Sequence, residues 1–352
     1  MTKLTRPDLD ALPSYVPGRA IPGAIKLASN EVPYGPLPGV VEAITEAAQN
    51  THRYPDMGVV ALREALGVRY GFDPARIATG CGSVALAEHL ARTTCGTPGD
   101  EILYSWRSFE AYPIIAATTG ATSVRVPNDD EHGHDLPAMA AAITDRTRVI
   151  LICNPNNPTG TALPRAQLDS FLDRVPDTTL VVFDEAYREF VTDPAVPDAL
   201  QSYADRPNVA VLRTLSKAWG MAGLRVGFLV AAEPVVQAVR KVVTPFSTSS
   251  VAQAAALAAL QADQEMARRA ALVVAERTRL QDEVRRLVPG VPETQSNFVW
   301  LPLGERTAEF AAGCEAHGVI VRPFAGEGVR VTVGTPEEND AFLAAAEKSL
   351  AG

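Results

Sequence analysis

Seven short apolar runs follow one another through the middle of the chain, and they constrain its fold more than any other feature. They are Ile77–Thr79, Glu101–Tyr104, Thr122–Val126, Val149–Cys153, Leu180–Phe183, Val209–Leu212 and Val226–Val230. Runs of this length, rich in Val, Ile and Leu, read as buried strands. Helical patterns lie between several of them, as over Val84–Thr94 and Arg165–Arg174. The alternation predicts an α/β domain whose sheet is largely parallel and flanked by helices on both faces. The pattern changes after about Thr244. A long Ala-rich helical region is expected to run to about Leu287. A strand at Phe298–Leu301, a helix around Arg306–His317, strands at Val319–Arg322 and Val329–Val333, and a last helix over about Glu337–Leu350 follow. That is a smaller α+β unit. The expected division is an arm over residues 1–25 packing with the small unit, a large domain over 26–244, and the small domain over 245–352.

Composition narrows the classes of function. A chain of 352 residues, nearly half of them apolar, has room for two domains and a sizeable core. Its net charge of −9, with no long basic run, argues against a nucleic-acid partner. The opening stretch, MTKLTRPDLDALPSYVPG, is broken by prolines and acids and does not read as a signal peptide. No uncharged apolar run reaches membrane-spanning length, so no membrane partner is expected. The four cysteines, Cys81, Cys95, Cys153 and Cys314, are scattered without metal-ligand spacing. Reduced thiols, a cytoplasmic location and no metal are the expectation.

The chemistry is concentrated just after the strands, where α/β folds place ligands. FDEAY and RTLSKAWGMAGLRVGF supply a carboxylate (Asp184), a phenol (Tyr187), an isolated lysine (Lys217) and an arginine (Arg225) in one stretch. Taken singly, each has a bland explanation: a loop acid, a packed tyrosine, a surface lysine. Together they are the groups that pyridoxal 5′-phosphate requires: a Schiff-base lysine, an anion for the ring nitrogen, a contact for the 3′ oxygen and a phosphate clamp. Thr214 and Ser216 add hydroxyls beside Lys217. The turn Asn154–Gly160 makes Asn157 a side-chain donor to the 3′ oxygen. Gly80–Ser83, between a strand and a helix, lets the backbone approach an anion. The segment WRSFEAY offers an aromatic to stack on the ring, and Trp106, Phe109 and Tyr112 read as one apolar pocket. Arg322 and Arg330 flank the turn FAGEG and suggest carboxylate recognition.

The set NPNNPTG, DEAY, SKAWGMAGLRVGF and VRVTVGT, with KLASNEVPYGP and RYPD, resembles the fold-type I pyridoxal phosphate-dependent aminotransferases over nearly the whole chain. Within them it is similar to the histidinol-phosphate aminotransferase branch. WRSFEAYP looks like the aromatic amino acid aminotransferases of actinobacteria, with Phe109 where histidinol-phosphate enzymes usually carry a tyrosine. The resemblance implies that Lys217 bonds the cofactor and shuttles the proton. It implies that Asp184 pairs with the ring nitrogen, that Tyr187 and Asn157 hold the 3′ oxygen, and that Phe109 stacks on the ring. The Cys81 and Gly82 backbone, Ser216 and Arg225 would bind phosphate, with Thr214 nearby. Tyr54, in RYPD, would reach the phosphate of a neighbouring subunit and so make the enzyme a homodimer with shared sites. Arg330 would grip the substrate carboxylate, Asn30 would line the same end, and Tyr15 and Arg322 would lie near the substrate side chain. The implied reaction is ping-pong transamination from Phe, Tyr or Trp to a 2-oxo acid, 2-oxoglutarate. The alternatives on the same scaffold are histidinol-phosphate transamination and decarboxylation of a phosphorylated amino acid. A non-catalytic cofactor-sensing regulator is not expected, because the enzyme-like segment begins almost at the first residue.

Overall fold

The computed structural model describes residues 4–6, 9, 10, 12, 18 and 21–351. After a short strand, β1 (Ile25–Lys26), the seven apolar runs form β2 (Ile77–Cys81), β3 (Glu101–Trp106), β4 (Thr122–Pro127), β5 (Thr147–Cys153), β6 (Leu180–Asp184), β7 (Val209–Thr214) and β8 (Val226–Ala231). They make one sheet in the order β2-β8-β7-β6-β5-β3-β4. All neighbours from β4 to β7 are parallel, and β8 is antiparallel to both of its neighbours. The expected largely parallel sheet is therefore observed, with one reversed strand.

Every residue of β6, β7 and β8 is buried, as expected where both faces of a sheet are covered. The period of two survives in the layer each side chain joins. Ile150, Ile152, Val181, Phe183 and Val211 enter one apolar layer. Leu151, Val182, Ala210 and Leu212 enter the other, together with the helices Gly82–Thr94 and Ala111–Thr119. Burying each such side chain contributes roughly 1.5–3 kcal/mol. Extending the alternation to the strand ends puts Cys153, Asp184 and Thr214 on the second face and Arg213 on the first.

In the C-terminal unit the expected Ala-rich helical region is present and ends at Leu287, and one strand expectation is corrected. The Ala-rich region is two helices, Ser250–Gln261 and Asp263–Leu287, parted at Ala262, whose ψ of 29° has left the helical range. No Gly or Pro marks that break. The run Val319–Arg322 is not one strand but parts of two, β10 (Val319–Ile320) and β11 (Arg322–Phe324). The first pairs in parallel with β1, and the second pairs antiparallel with β12 (Gly328–Thr332), which in turn pairs with β9 (Phe298–Leu301). Two different partners on the two halves divide the run. The N-terminal segment is thereby stitched between them: Leu27 N–H donates to Ile320 O at 2.8 Å, and Thr332 N–H donates to Leu27 O at 2.9 Å. This stitching carries Ser29 and Asn30 toward the carboxyl edge of the large sheet. Among the described residues, no helix is long and apolar enough to cross a membrane, and no cluster of His, Cys, Asp and Glu is arranged to hold a metal.

Candidate active site

The reversed strand builds one end of the site. Because β8 runs backwards, its first residues lie at the edge where β2 and β7 end: Val226 pairs with Cys81, and Gly227 with Thr214. Arg225, just ahead of β8, is held in a left-handed turn with φ of 57°. Its Nη1 donates to Ser216 Oγ at 3.2 Å and to Ala222 O at 3.0 Å. Gly227 leaves no room for a Cβ, because the Gly82–Ser83 backbone lies against it. Gly82, with φ of 80°, abuts the Arg225 guanidinium. The helix that begins there presents unpaired N–H groups beside a fixed arginine and two hydroxyls, a ready site for a phosphate.

A cavity of about 500 Å³ opens at this edge. Of the fourteen described residues singled out in the sequence, eleven line it; Cys81, Gly82 and Tyr54 do not. The wall near the first two is formed by Ser83 and Val84 instead. Tyr54 is 82% exposed and stacks on Phe246 at 4.5 Å. Tyr15 lies outside the described residues.

Asp184 is buried, and its Oδ2 accepts a hydrogen bond from Tyr112 Oη at 3.1 Å. Burial pushes its pKa up to about 6, against the opposing pull of the Tyr112 hydroxyl, the Ala186 N–H and the Lys217 charge. Its Oδ1 is enclosed and has no donor among the described residues. A buried carboxylate oxygen without a donor is costly and calls for one. Lys217 is half-buried, and its Nζ donates to Ser29 O at 3.2 Å and lies 5.9 Å from the centre of the Tyr187 ring. Burial first, then the positive charge of Arg330, lowers its pKa to about 8. An amine of that kind is neutral often enough near pH 7 to act as a nucleophile.

The Tyr187 hydroxyl accepts from Asn30 Nδ2 at 2.8 Å, and burial holds the phenol in its neutral form. Asn30 is itself anchored by Thr332, whose Oγ1 accepts from its backbone N–H at 2.9 Å. Arg330 donates to Asn157 Oδ1 at 2.5 Å and to Ala28 O at 2.9 Å. Arg322 sits directly across from Arg330 on β11 and donates to Glu110 Oε2 at 2.8 Å. Phe109 presents its ring to the cavity and meets Tyr112 edge-on at 5.7 Å.

The expected pocket of Trp106, Phe109 and Tyr112 does not form as such. Trp106 is held off the wall, 4.3 Å from the Arg107 guanidinium and 4.5 Å from that of Arg125. Tyr112 is turned under Asp184 because its buried hydroxyl needs an acceptor. The apolar wall beside Phe109 comes instead from Ile114 and Ile115 of the helix Ala111–Thr119.

A model of the family described as "Aminotransferase class I and II" matches residues 22–345. The chain belongs to the class I and II aminotransferases. It is 56% identical to an aromatic amino acid aminotransferase of Streptomyces coelicolor, over 97% of this chain and 96% of that one. It is 53% identical to one of Rhodococcus erythropolis, over 100% and 97%. The structure of a histidinol-phosphate aminotransferase from Sinorhizobium meliloti, solved in complex with pyridoxal 5′-phosphate, superposes with a TM-score of 0.88 at 29% identity, covering 100% of this chain and 98% of that one.

Sequence reasoning missed three parts of this aminotransferase's site. Tyr112 as the support of Asp184 was signalled only by a phenol in an apolar helix. Glu110 carried no signal beyond its place next to Phe109. The third is an ion cluster on the opposite face of the sheet. Glu185, buried, has its pKa pushed up to about 7 by burial and accepts from Arg213 Nε at 2.9 Å. Arg213 also reaches Asp198 Oδ1 at 2.8 Å. This cluster ties the ends of β6 and β7, and so spaces Asp184 from Thr214.

Proposed function

We propose that this aminotransferase uses pyridoxal 5′-phosphate to move the amino group of phenylalanine, tyrosine or tryptophan to 2-oxoglutarate. The observation that carries the cofactor assignment is the enclosed, donor-less Asp184 Oδ1 across the cavity from a lysine whose pKa is lowered to about 8. A protonated ring nitrogen is the donor that this oxygen lacks. When bound, the cofactor supplies a carbonyl carbon for an amine and a ring that accepts electron density from the substrate α-carbon. Lys217 Nζ would bond that carbon and later carry the α-proton. Asp184, held ionised by Tyr112, would keep the ring nitrogen protonated. Arg225, Ser216, Thr214 and the helix N-terminus at Cys81 and Gly82 would hold the phosphate. Phe109 would cover the ring, Tyr187 and Asn157 would hold its 3′ oxygen, and Arg330 with Asn30 would take the substrate carboxylate.

Two observations support an aromatic donor. Several relatives more than half identical to this chain are aromatic amino acid aminotransferases. Phe109, Ile114 and Ile115 also line the cavity that Arg330 lines. The alternative, histidinol phosphate, is favoured by a second cavity-lining cation, Arg322, and by the structural likeness at 29% identity. Steady-state comparison of phenylalanine and histidinol phosphate, each with 2-oxoglutarate, decides between them. We expect a specificity constant about tenfold or more higher for phenylalanine, roughly 1.4 kcal/mol; the opposite ranking overturns the reading. The proposal includes a homodimer, supported by the exposed Tyr54 beside the exposed Met57, Val60 and Phe246. It also includes the division into an arm, a large domain over 26–244 and a small domain over 245–352, and a cytoplasmic location, supported by four free cysteines. A fully active monomer in sedimentation at assay concentration would contradict the shared site.

A further inference from the structure

The turn that carries Asn157 is pinned by the residue before it. Asn156 is 1% exposed and does not line the cavity, whereas Asn157 and Phe109 do. An amide side chain has two N–H donors and an oxygen that accepts two bonds. In Asn156 all four are used. Nδ2 donates to Arg107 O at 3.1 Å and to Thr159 Oγ1 at 2.8 Å. Oδ1 accepts from Ser108 Oγ at 2.7 Å and from His134 Nε2 at 3.2 Å. A backbone carbonyl only accepts, so the contact with Arg107 O fixes which end of the amide is nitrogen. The oxygen therefore faces His134, and Nε2 of that ring carries the proton. Burial lowers the His134 pKa to about 4, which keeps the ring neutral near pH 7. These partners come from separate parts of the chain. Arg107 and Ser108 immediately precede Phe109, His134 lies just ahead of the helix Leu136–Ala141, and Thr159 belongs to the turn Asn154–Gly160. Asn156 thus joins the segment that presents Phe109 to the turn that presents Asn157. A buried amide with every bond made holds one arrangement, because any shift strands a donor or acceptor away from water. The Asn157 oxygen in turn accepts from Arg330, which leaves Asn157 Nδ2 as the donor for a ligand oxygen.

We propose that Asn156 is a positioning residue for the reaction: it fixes the spacing between the Phe109 ring and the Asn157 amide, so that one covers the cofactor ring while the other donates to its 3′ oxygen. The inference rests on the reading that places pyridoxal phosphate in this cavity. Asn156 acts through its neighbours and touches neither cofactor nor substrate. Without its four bonds the Phe109 segment and the Asn157 turn are free to shift against each other. The cofactor is then held less tightly, and its 3′ oxygen loses a well-placed donor. An N–H aimed at that oxygen stabilises its anion and so eases loss of the neighbouring proton from the lysine nitrogen. With the N–H displaced, that proton stays on to higher pH.

The test uses two readouts that do not depend on turnover: the Kd of pyridoxal phosphate for the cofactor-free protein, and the pH midpoint of the visible absorbance of the reconstituted holoenzyme. In Asn156→Ala the Kd should rise about tenfold or more, and the absorbance midpoint should rise by about one pH unit. Ser108→Ala removes one of the two bonds to the Asn156 oxygen and lies outside the Asn154–Gly160 turn. It should move both readouts in the same direction, the Kd by about threefold. Ser108→Ala combined with Asn156→Ala should go no further than Asn156→Ala alone, because the same network is lost only once. If Asn156→Ala fails to fold, Ser108→Ala by itself carries the test, since it keeps the other three bonds of the amide. A purely structural amide would lower the thermal midpoint of the variants and leave the Kd and the absorbance midpoint of the folded protein unmoved, and that result overturns the proposal. A parent protein that binds no pyridoxal phosphate would instead overturn the cofactor reading, and it is visible before any variant is made.

Discussion

Asp184→Asn removes a buried negative charge and keeps the shape of the side chain, so it separates what this residue does for the fold from what it does for the reaction. Burial raises its pKa from 3.8 to about 6. A shift of that size amounts to roughly 3 kcal/mol against the folded, ionised form. The sign follows from the raised value: the folded state holds the proton more tightly than the unfolded chain. The Asp184 contribution is therefore present in full below pH 3.8 and is lost as pH rises through about 6. At pH 7 the cofactor-free fold carries the whole cost. Asparagine avoids it and can still accept from Tyr112, but its amide N–H at the donor-less position costs about 1–2 kcal/mol. The cofactor-free variant should therefore be about 1–2 kcal/mol more stable than the parent at pH 7, with the advantage shrinking toward pH 4. Urea unfolding of both cofactor-free proteins at the two pH values measures this directly. Saturating pyridoxal phosphate should reverse the ranking, since a ligand at a hundred times its Kd adds about 2.7 kcal/mol to whichever protein binds it. Turnover of the variant should fall by about a hundredfold or more, the equivalent of roughly 3 kcal/mol. An asparagine variant less stable than the parent at pH 7, with the same deficit at pH 4, would show that Asp184 is already well satisfied and would undo the argument for its cofactor partner.

Three further outcomes follow from the same geometry. Lys217→Ala should abolish turnover and leave no cofactor attached after borohydride reduction; in the parent, capture of pyridoxal phosphate by the cofactor-free protein should quicken with pH and level off above about 8, as the amine loses its proton. A rate that is flat between about pH 6 and 9 would exclude the shifted amine. Tyr112→Phe keeps the ring contacts to Tyr104 and Phe109 at 5.6 and 5.7 Å but removes the bond to Asp184. The acid limb of kcat/KM should then move up by about one to two pH units, and an unmoved limb would mean that Tyr112 is only packing. Arg213→Met leaves Glu185 and Asp198 without their shared cation and should destabilise the protein by roughly 3–5 kcal/mol in urea unfolding; a loss below about 1 kcal/mol would contradict the buried cluster.

Much of the scaffold and most of the site were legible before the structure. Strand runs such as VILIC and LVVF are apolar throughout because both faces of their strands are covered, and such a local signal survives in one sequence. The misread strand in the C-terminal unit lies where the deciding partner is distant. Val319–Arg322 divides because β1 takes one half and β12 the other. The Ala-rich region breaks at Ala262 without a Gly or Pro to announce it. Trp106 was expected in the cavity because it is near Phe109 in sequence, but two arginines draw its ring away.

By itself the sequence determined which chemical groups stand at the strand ends: the amine of Lys217, the carboxylate of Asp184, the phenol of Tyr187 and the guanidinium of Arg225. Those follow from residue identity and from periodicities of two and 3.6, which involve only near neighbours in the chain. The partners of those groups were decided by tertiary structure alone. Tyr112 meets Asp184 across 72 positions, Asn30 meets Tyr187 across 157, and Arg322 meets Glu110 across 212. The reversal of β8, which returns Arg225 to the edge where β2 and β7 end, is likewise a property of the sheet and not of the run VGFLVA. The shifted pKa values of Asp184 and Lys217 belong to this second class, because the removal of water that causes them is the joint work of every element around the cavity.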